Sequence, residues 1–140
     1  MCSSDLILGP ALVPHQYPEG GGTATEFIVD PQKFHEAFAA DLTAEQAAVL
    51  AATQRPIAET AFSEASGTPA WKSLPSWAVI ATGDKAAGTD LTRSMAERAG
   101  ATITELDGSH VTMVANPGPV ADVIQTAAAA VEKVAAGAAH

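Results

Sequence analysis

The stretch Trp77-Ala78-Val79-Ile80-Ala81-Thr82-Gly83-Asp84 decides the predicted fold. It is an apolar run that stops abruptly at a turn carrying a carboxylate, and Asp107-Gly108-Ser109-His110 repeats the pattern with an imidazole. Between the two lies a helical pattern from Thr89 to Ala99, closed by Gly100. This order predicts strand, helix and parallel strand, and therefore an α/β protein. Open α/β sheets place their chemistry at the carboxyl ends of their strands, where Asp84 and His110 would both lie.

Composition limits the classes of function that the chain can have. The 140 residues suffice for one domain with its own core. A formal net charge of −9, with only seven scattered Lys and Arg, argues against binding to nucleic acid or to an anionic membrane. No apolar run is long enough to span a bilayer, and the single cysteine, Cys2, allows no disulfide within the chain. We therefore expect a protein of the reducing cytoplasm.

The pattern of residues divides the chain into three segments. Residues 1–26 contain several Gly and Pro and predict an irregular leader. Residues 27–68 predict a small helical layer, and residues 69–140 predict an α/β portion that ends in a long helix. We expect the helices of the middle segment at Gln32 to about Ala40, Thr43 to about Gln54 and Ile57 to Glu64, and the last helix at about Pro119 to Ala136.

Asp84 and His110 are the candidate catalytic pair. They lie 110 − 84 = 26 residues apart, but neighbouring parallel strands would bring their turns together. A carboxylate that accepts a hydrogen bond from one imidazole nitrogen fixes the tautomer and stabilises the imidazolium, which is the base half of a nucleophile–His–acid triad. Each residue has an alternative interpretation, because Asp often caps a turn and a lone His is often a satisfied structural residue.

These motifs resemble the C-terminal part of an α/β-hydrolase. The resemblance rests on Ile80-Ala81-Thr82-Gly83-Asp84 as strand and acid turn, and on Asp107-Gly108-Ser109-His110 as the His turn. Phe34-His35-Glu36-Ala37-Phe38-Ala39-Ala40-Asp41 and Pro75-Ser76-Trp77 are similar to small bacterial esterase-like hydrolases, related to plant esterases and hydroxynitrile lyases. The resemblance implies that residues 27–68 form a helical cap over the pocket, and that Asp84 and His110 are the triad acid and base.

The chain departs from this family in one important respect. It contains no G-x-S-x-G, the turn that presents the nucleophilic serine. Since the family's chain order is Ser, acid, His, we expect the serine to lie upstream and the chain to be the C-terminal part of a serine hydrolase, inactive alone. An alternative is a non-catalytic α/β interaction module with no turnover.

Further expectations concern the substrate and the partners. In the family that the chain resembles, the cyanohydrin-cleaving members carry Lys shortly after the catalytic His. Here the residue after His110 is Val111. This argues against the lyase reaction and favours hydrolysis of a small apolar ester. We expect no cofactor and no metal, because Asp107 and His110 lack a third ligand. Aromatic side chains that could line an acyl pocket or simply form core are Phe34, Phe38, Phe62 and Trp71. An uncovered edge of the strand at 77–82 would favour self-association.

Overall fold

The first segment of the fold is a β-hairpin. The computed structural model describes residues 7–137, and the side chains of residues 7–133. Strand β1 (Leu12–Glu19) pairs antiparallel with β2 (Gly22–Val29), and the turn between them is formed by Gly20 and Gly21 with φ of 55° and 85°. Such positive φ values suit glycine, which lacks a Cβ. A short 3₁₀ helix, Gly9–Ala11, precedes β1.

The prediction of an irregular leader is therefore wrong for residues 12–26. Pro14 and Pro18 argued against a strand, but β1 is the outer strand of a three-stranded sheet of order β1-β2-β3. An edge strand tolerates proline because it needs a partner on one side only. Residues 1–6 of the predicted leader lie outside the described residues.

Two helices follow the hairpin, and each begins with an N-terminal cap. In α1 (Pro31–Phe38) the Asp30 carboxylate accepts a hydrogen bond from the Gln32 N–H at 2.9 Å. In α2 (Ala44–Thr53) Thr43 and Gln46 form a complete capping box. Both helices are confirmed. The core is centred here, and its buried members include Val29, Phe34, Ala39, Leu42, Ala47 and Ala51.

The predicted third helix, Ile57 to Glu64, is wrong. Ile57–Ala58 form β3, which pairs antiparallel with β2, and Glu59–Phe62 form one 3₁₀ turn. The extended conformation that follows Pro56 is retained because β2 offers a free edge, so pairing across the sheet overrides local helix propensity. A further 3₁₀ turn, Ala70–Lys72, leads to the α/β portion.

The α/β portion has the predicted order. Strand β4 (Trp77–Ala81) pairs in parallel with β5 (Thr102–Leu106), with Trp77 opposite Thr102 and Ala81 opposite Leu106. Helix α3 (Thr89–Arg98) connects them and is followed by Gly100 with φ of 65°, the left-handed conformation expected just after a helix. Among the described residues, β4 and β5 form a sheet of their own.

The chain ends in two helices, α4 (Thr112–Ala115) and α5 (Pro117–Gly137). Helix α5 confirms the predicted last helix and begins two residues earlier, at Pro117, since proline is favoured in the first turn. Within residues 7–137, no helix combines the length and the apolar character needed to cross a bilayer.

Candidate functional site

Asp84 lies in the turn directly after β4, with its carboxylate held from one side by the backbone. Its Oδ1 accepts hydrogen bonds from the N–H groups of Ala86 and Ala87, at 2.8 and 3.0 Å. The side chain is only 6 % exposed. These bonds orient the second oxygen, Oδ2, toward the turn after β5.

His110 lies in the turn after β5. Backbone hydrogen bonds connect this turn to the turn that carries Asp84. The Thr82 N–H donates to the Leu106 carbonyl and the Gly83 N–H donates to the Gly108 carbonyl, both at 2.9 Å. The two turns are thus an extension of the β4–β5 pairing. As a result Nδ1 of His110 lies 3.0 Å from Oδ2 of Asp84. The structure brings together the two residues that the sequence analysis selected.

The electrostatics of this pair favour an ionised carboxylate. Burial raises the pKa of Asp84, but the hydrogen bond from His110, the N–H groups of Ala87 and Ala86, and the charge on the imidazole lower it. The net result is a pKa of Asp84 below its ordinary value of 3.8. An ionised carboxylate only accepts hydrogen bonds, so the neutral imidazole carries its proton on Nδ1. Nε2 then holds the lone pair and can accept a proton.

An apolar cavity of about 460 Å³ lies beside His110. The Phe38 ring, which is part of its wall, packs against the imidazole with the ring centroids 4.5 Å apart. Val111, the residue after His110, is also part of the wall. Of the four aromatic candidates Phe34, Phe38 and Phe62 line the cavity, whereas Trp71 does not. Other apolar lining residues include Leu12, Phe27, Leu50 and Ile57, and the polar part of the wall is formed by Thr53, Gln54 and Arg55.

A second carboxylate, which no sequence motif had indicated, lies close to the site. Asp41, between α1 and α2, accepts hydrogen bonds from the backbone N–H of Ser109 at 2.9 Å and from its hydroxyl. The two residues are 68 positions apart in the chain. No periodicity or short motif connects such distant positions, although Asp41 closes the stretch on which the family resemblance rests.

Two other acids, Asp107 and Asp90, have structural partners. Asp107 accepts a hydrogen bond from the Thr82 hydroxyl at 2.7 Å and thereby ties the two turns together. Asp90, in the first turn of α3, forms an ion pair with Arg93 at 2.8 Å and its side chain is fully exposed. Asp107 thus has a structural role between the two turns, and Asp90 forms an ion pair on the surface of α3 without capping the helix.

The remaining histidines lie apart from the pair. Nε2 of His35 donates to the Leu42 carbonyl at 2.9 Å, and His15 lies exposed on β1. His140 is outside the described residues. His110 is thus the histidine that has a carboxylate partner within residues 7–133.

Comparison with known proteins agrees with this architecture. The sequence model of the Alpha/beta hydrolase family matches residues 3–123. The crystal structure of polyneuridine aldehyde esterase superposes with a TM-score of 0.67 at 16 % identity, covering 78 % of this chain and 45 % of that one. A histidine-to-alanine mutant of that esterase gives a TM-score of 0.65, with the same identity and coverage.

The individual proteins that match are longer than this chain and differ from it in most of their sequence. The chain spans less than half the length of these solved structures, and at 16 % identity they establish the fold. No curated protein sequence matches the chain significantly. The family match covers most of the sequence, and the parallel strands of the α/β portion agree with it. The chain belongs to the alpha/beta hydrolase family.

Proposed function

We propose that this chain supplies the acid–base half of a serine hydrolase that cleaves small apolar esters. The observation that carries the proposal is the 3.0 Å contact between Asp84 and His110. The imidazole packs against Phe38, which forms part of the wall of the apolar cavity. Membership of the alpha/beta hydrolase family supports it. In this proposal His110 is the general base and then the general acid, and Asp84 orients it.

The proposed chemistry follows from the protonation state of the imidazole. As a serine hydroxyl attacks the ester carbonyl, Nε2 of His110 takes the hydroxyl proton, and Asp84 stabilises the imidazolium that forms. The imidazolium then gives this proton to the departing alkoxide, which leaves as an alcohol. Water repeats the sequence on the acyl-enzyme and releases the acid. Since no G-x-S-x-G occurs in the 140 residues, the proposal takes the serine from another segment.

The cavity supports the choice of substrate class. Its wall is formed mostly by aliphatic and aromatic side chains, and one of these, Phe38, packs against the proposed base. A cavity of about 460 Å³ can hold a small acyl or alcohol group, and burial of the apolar surface of that group favours binding. Residues 27–68, which supply most of this wall, would act as the cap over the pocket. This favours a small uncharged ester.

The experiment combines the chain with a segment that carries the serine. We expect no hydrolysis of p-nitrophenyl butyrate by the chain alone, and hydrolysis when an N-terminal half with G-x-S-x-G is co-expressed. In the combined protein His110→Ala should lower kcat by about 10²–10⁴, since a general base is lost. His15→Ala, at an exposed position on β1, is the matched control and should leave kcat unchanged. Activity that survives His110→Ala would contradict the proposal.

The absence of G-x-S-x-G also favours a second candidate function. Without G-x-S-x-G the chain as it stands could serve as a non-catalytic module, which predicts no labelling by a fluorophosphonate probe. The two candidates differ in the combined protein. A serine hydrolase is labelled there and turns over ester, whereas a binding module does neither.

We also propose that the chain self-associates beside β4. In the described residues β4 pairs with β5 alone, and a groove along it is lined by Trp77, Val79 and Ile124. An apolar strand with an open edge favours pairing with a second copy. Sedimentation velocity should show mass that rises with concentration, and Ile124→Lys should reduce it with little loss of stability, because Ile124 is 63 % exposed. A monomer at all concentrations would overturn this.

A further inference from the structure

The turn that carries His110 is held by a carboxylate from a distant part of the chain. One oxygen of Asp41, Oδ2, accepts the Ser109 N–H at 2.9 Å, and the other, Oδ1, accepts the Ser109 hydroxyl. Ser109 is 3 % exposed and immediately precedes His110. Both hydrogen-bond donors of Ser109 are therefore satisfied by a single carboxylate, which restrains the backbone and side-chain angles of Ser109 together.

Packing around this contact leaves little room for an alternative arrangement. A Cβ added at Gly108 would lie 2.8 Å from Oδ2 of Asp41 and 2.6 Å from Oγ1 of Thr112. These distances are shorter than ordinary van der Waals contact. A side chain at position 108 would therefore have to displace the Asp41 carboxylate or the Thr112 hydroxyl. The same Thr112 is 6 % exposed, so the turn is enclosed from this side as well.

Asp41 is itself held in a well-braced loop. The Leu42 N–H donates to the Ala39 carbonyl at 3.1 Å, and Nε2 of His35 donates to the Leu42 carbonyl at 2.9 Å. Directly after the loop, the Thr43 capping box begins α2. The loop also follows Phe38, whose ring packs against the imidazole of His110. The corner between α1 and α2 therefore contacts the His turn at two points.

We propose that Asp41 is a positioning residue for His110 and acts through Ser109. The inference rests on the proposed function, in which the imidazole must meet Asp84 in one orientation. By restraining Ser109, Asp41 fixes the direction in which the chain enters residue 110, and so keeps Nδ1 within hydrogen-bond distance of Asp84. The segment over the cavity is thereby coupled to the proposed base.

The tautomer of His110 provides a direct readout, because it reports whether Nδ1 still donates to Asp84. It is measured on the full 140-residue chain by long-range ¹H–¹⁵N NMR at about two pH units above the ordinary imidazole pKa of ~6.5. We expect the Nδ1–H tautomer to dominate in the wild type and to become the minor form in Asp41→Ala. Asp122→Ala, which removes an exposed carboxylate from α5, is the matched control and should keep the wild-type ratio.

Further variants keep the test decisive if Asp41→Ala does not fold. Ser109→Ala removes the hydroxyl bond but retains the Ser109 N–H, and Asp41→Asn retains one acceptor oxygen. Each should lower the Nδ1–H fraction by less than Asp41→Ala would. A folded Asp41→Ala, or both milder variants, with the wild-type tautomer ratio would overturn the positioning role.

The same spectra separate this inference from the proposed function. Asp84→Asn removes the acceptor of the Nδ1 proton and should abolish the Nδ1–H preference. If Asp84→Asn changes the tautomer and the Asp41 variants do not, the positioning role alone is overturned. If Asp84→Asn leaves the tautomer unchanged, the orienting role of Asp84 fails, and the proposed function fails with it.

Discussion

One carboxylate oxygen of Asp84 lies within hydrogen-bond distance of His110, and the other accepts hydrogen bonds from the backbone of the turn that carries Asp84. Oδ2 lies 3.0 Å from Nδ1 of His110, while Oδ1 accepts the N–H groups of Ala86 and Ala87. These two N–H groups can only donate, so Oδ1 must remain an acceptor. The carboxylate is thereby fixed in rotation, and only its second oxygen is available to the imidazole.

Substitution of Asp84 by Asn should therefore invert the tautomer of His110. The amide oxygen will stay with the N–H groups of Ala86 and Ala87, and the NH₂ group will face Nδ1. Nδ1 must then accept, and the proton moves to Nε2, the nitrogen that the proposed base needs free. In a protein combined with the serine-bearing segment we expect kcat to fall by about 10⁴, as wrong tautomers cost in serine proteases. Asp122→Asn is the control, and full activity of Asp84→Asn would refute the argument.

The pairing of Asp84 with His110 could be predicted from sequence because both follow apolar runs that become strands. Parallel neighbours end at the same edge of a sheet, so the position of each strand end determines the position of each side chain. The caps at Asp30 and Thr43 were equally predictable, since a cap depends on residues within one turn of each other. Local rules sufficed for these features.

Other features depend on contacts that no local rule describes. The hairpin at residues 12–29 contains Pro14 and Pro18, which argue against a β-strand unless that strand lies at the edge of a sheet. Ile57 and Ala58 form a strand only because β2 is available to pair with them. Asp41 reaches Ser109 across 68 positions, and only the fold brings them together. Tertiary contact, rather than propensity, decides each of these.

The cavity can be tested by reducing its volume. Leu50→Trp places a larger side chain in the wall, so longer acyl groups should fit less well than short ones. We expect the ratio of kcat/KM for p-nitrophenyl butyrate over acetate to fall about tenfold in the combined protein, within the range that pocket methylenes contribute. Val49→Trp is the matched control, since Val49 is the preceding residue of α2 and is 62 % exposed. An equal effect of both variants would show that the cavity does not hold the acyl group.

The close approach of the two turns can be tested at Gly83. A Cβ at this position would lie 2.9 Å from the Gly108 carbonyl oxygen, a backbone atom that cannot move aside without separating the turns. Gly83→Ala should lower the free energy of unfolding by about 1–3 kcal/mol, the usual cost of overpacking. Gly67→Ala meets no atom within 4 Å and should be close to neutral. Urea unfolding measures both, and equal stability of the two variants would contradict the packing argument.

Stability should depend on acid pH through Asp84 and Asp41. Burial raises the pKa of each carboxyl, but hydrogen bonds from His110 to Asp84 and from Ser109 to Asp41 prevail, so folding lowers both pKa values below 3.8. Stabilisation by a group of lowered pKa is fully present above its unfolded pKa, and is lost as pH falls through the folded pKa. Hence the Tm of the wild type, measured by circular dichroism, should fall as pH drops from about 5 to about 2. The Tm of Asp84→Asn and the Tm of Asp41→Asn should each fall less steeply across this interval, whereas the Tm of Asp122→Asn should follow that of the wild type. Parallel curves for all four proteins would mean that neither carboxylate is held more tightly in the folded state.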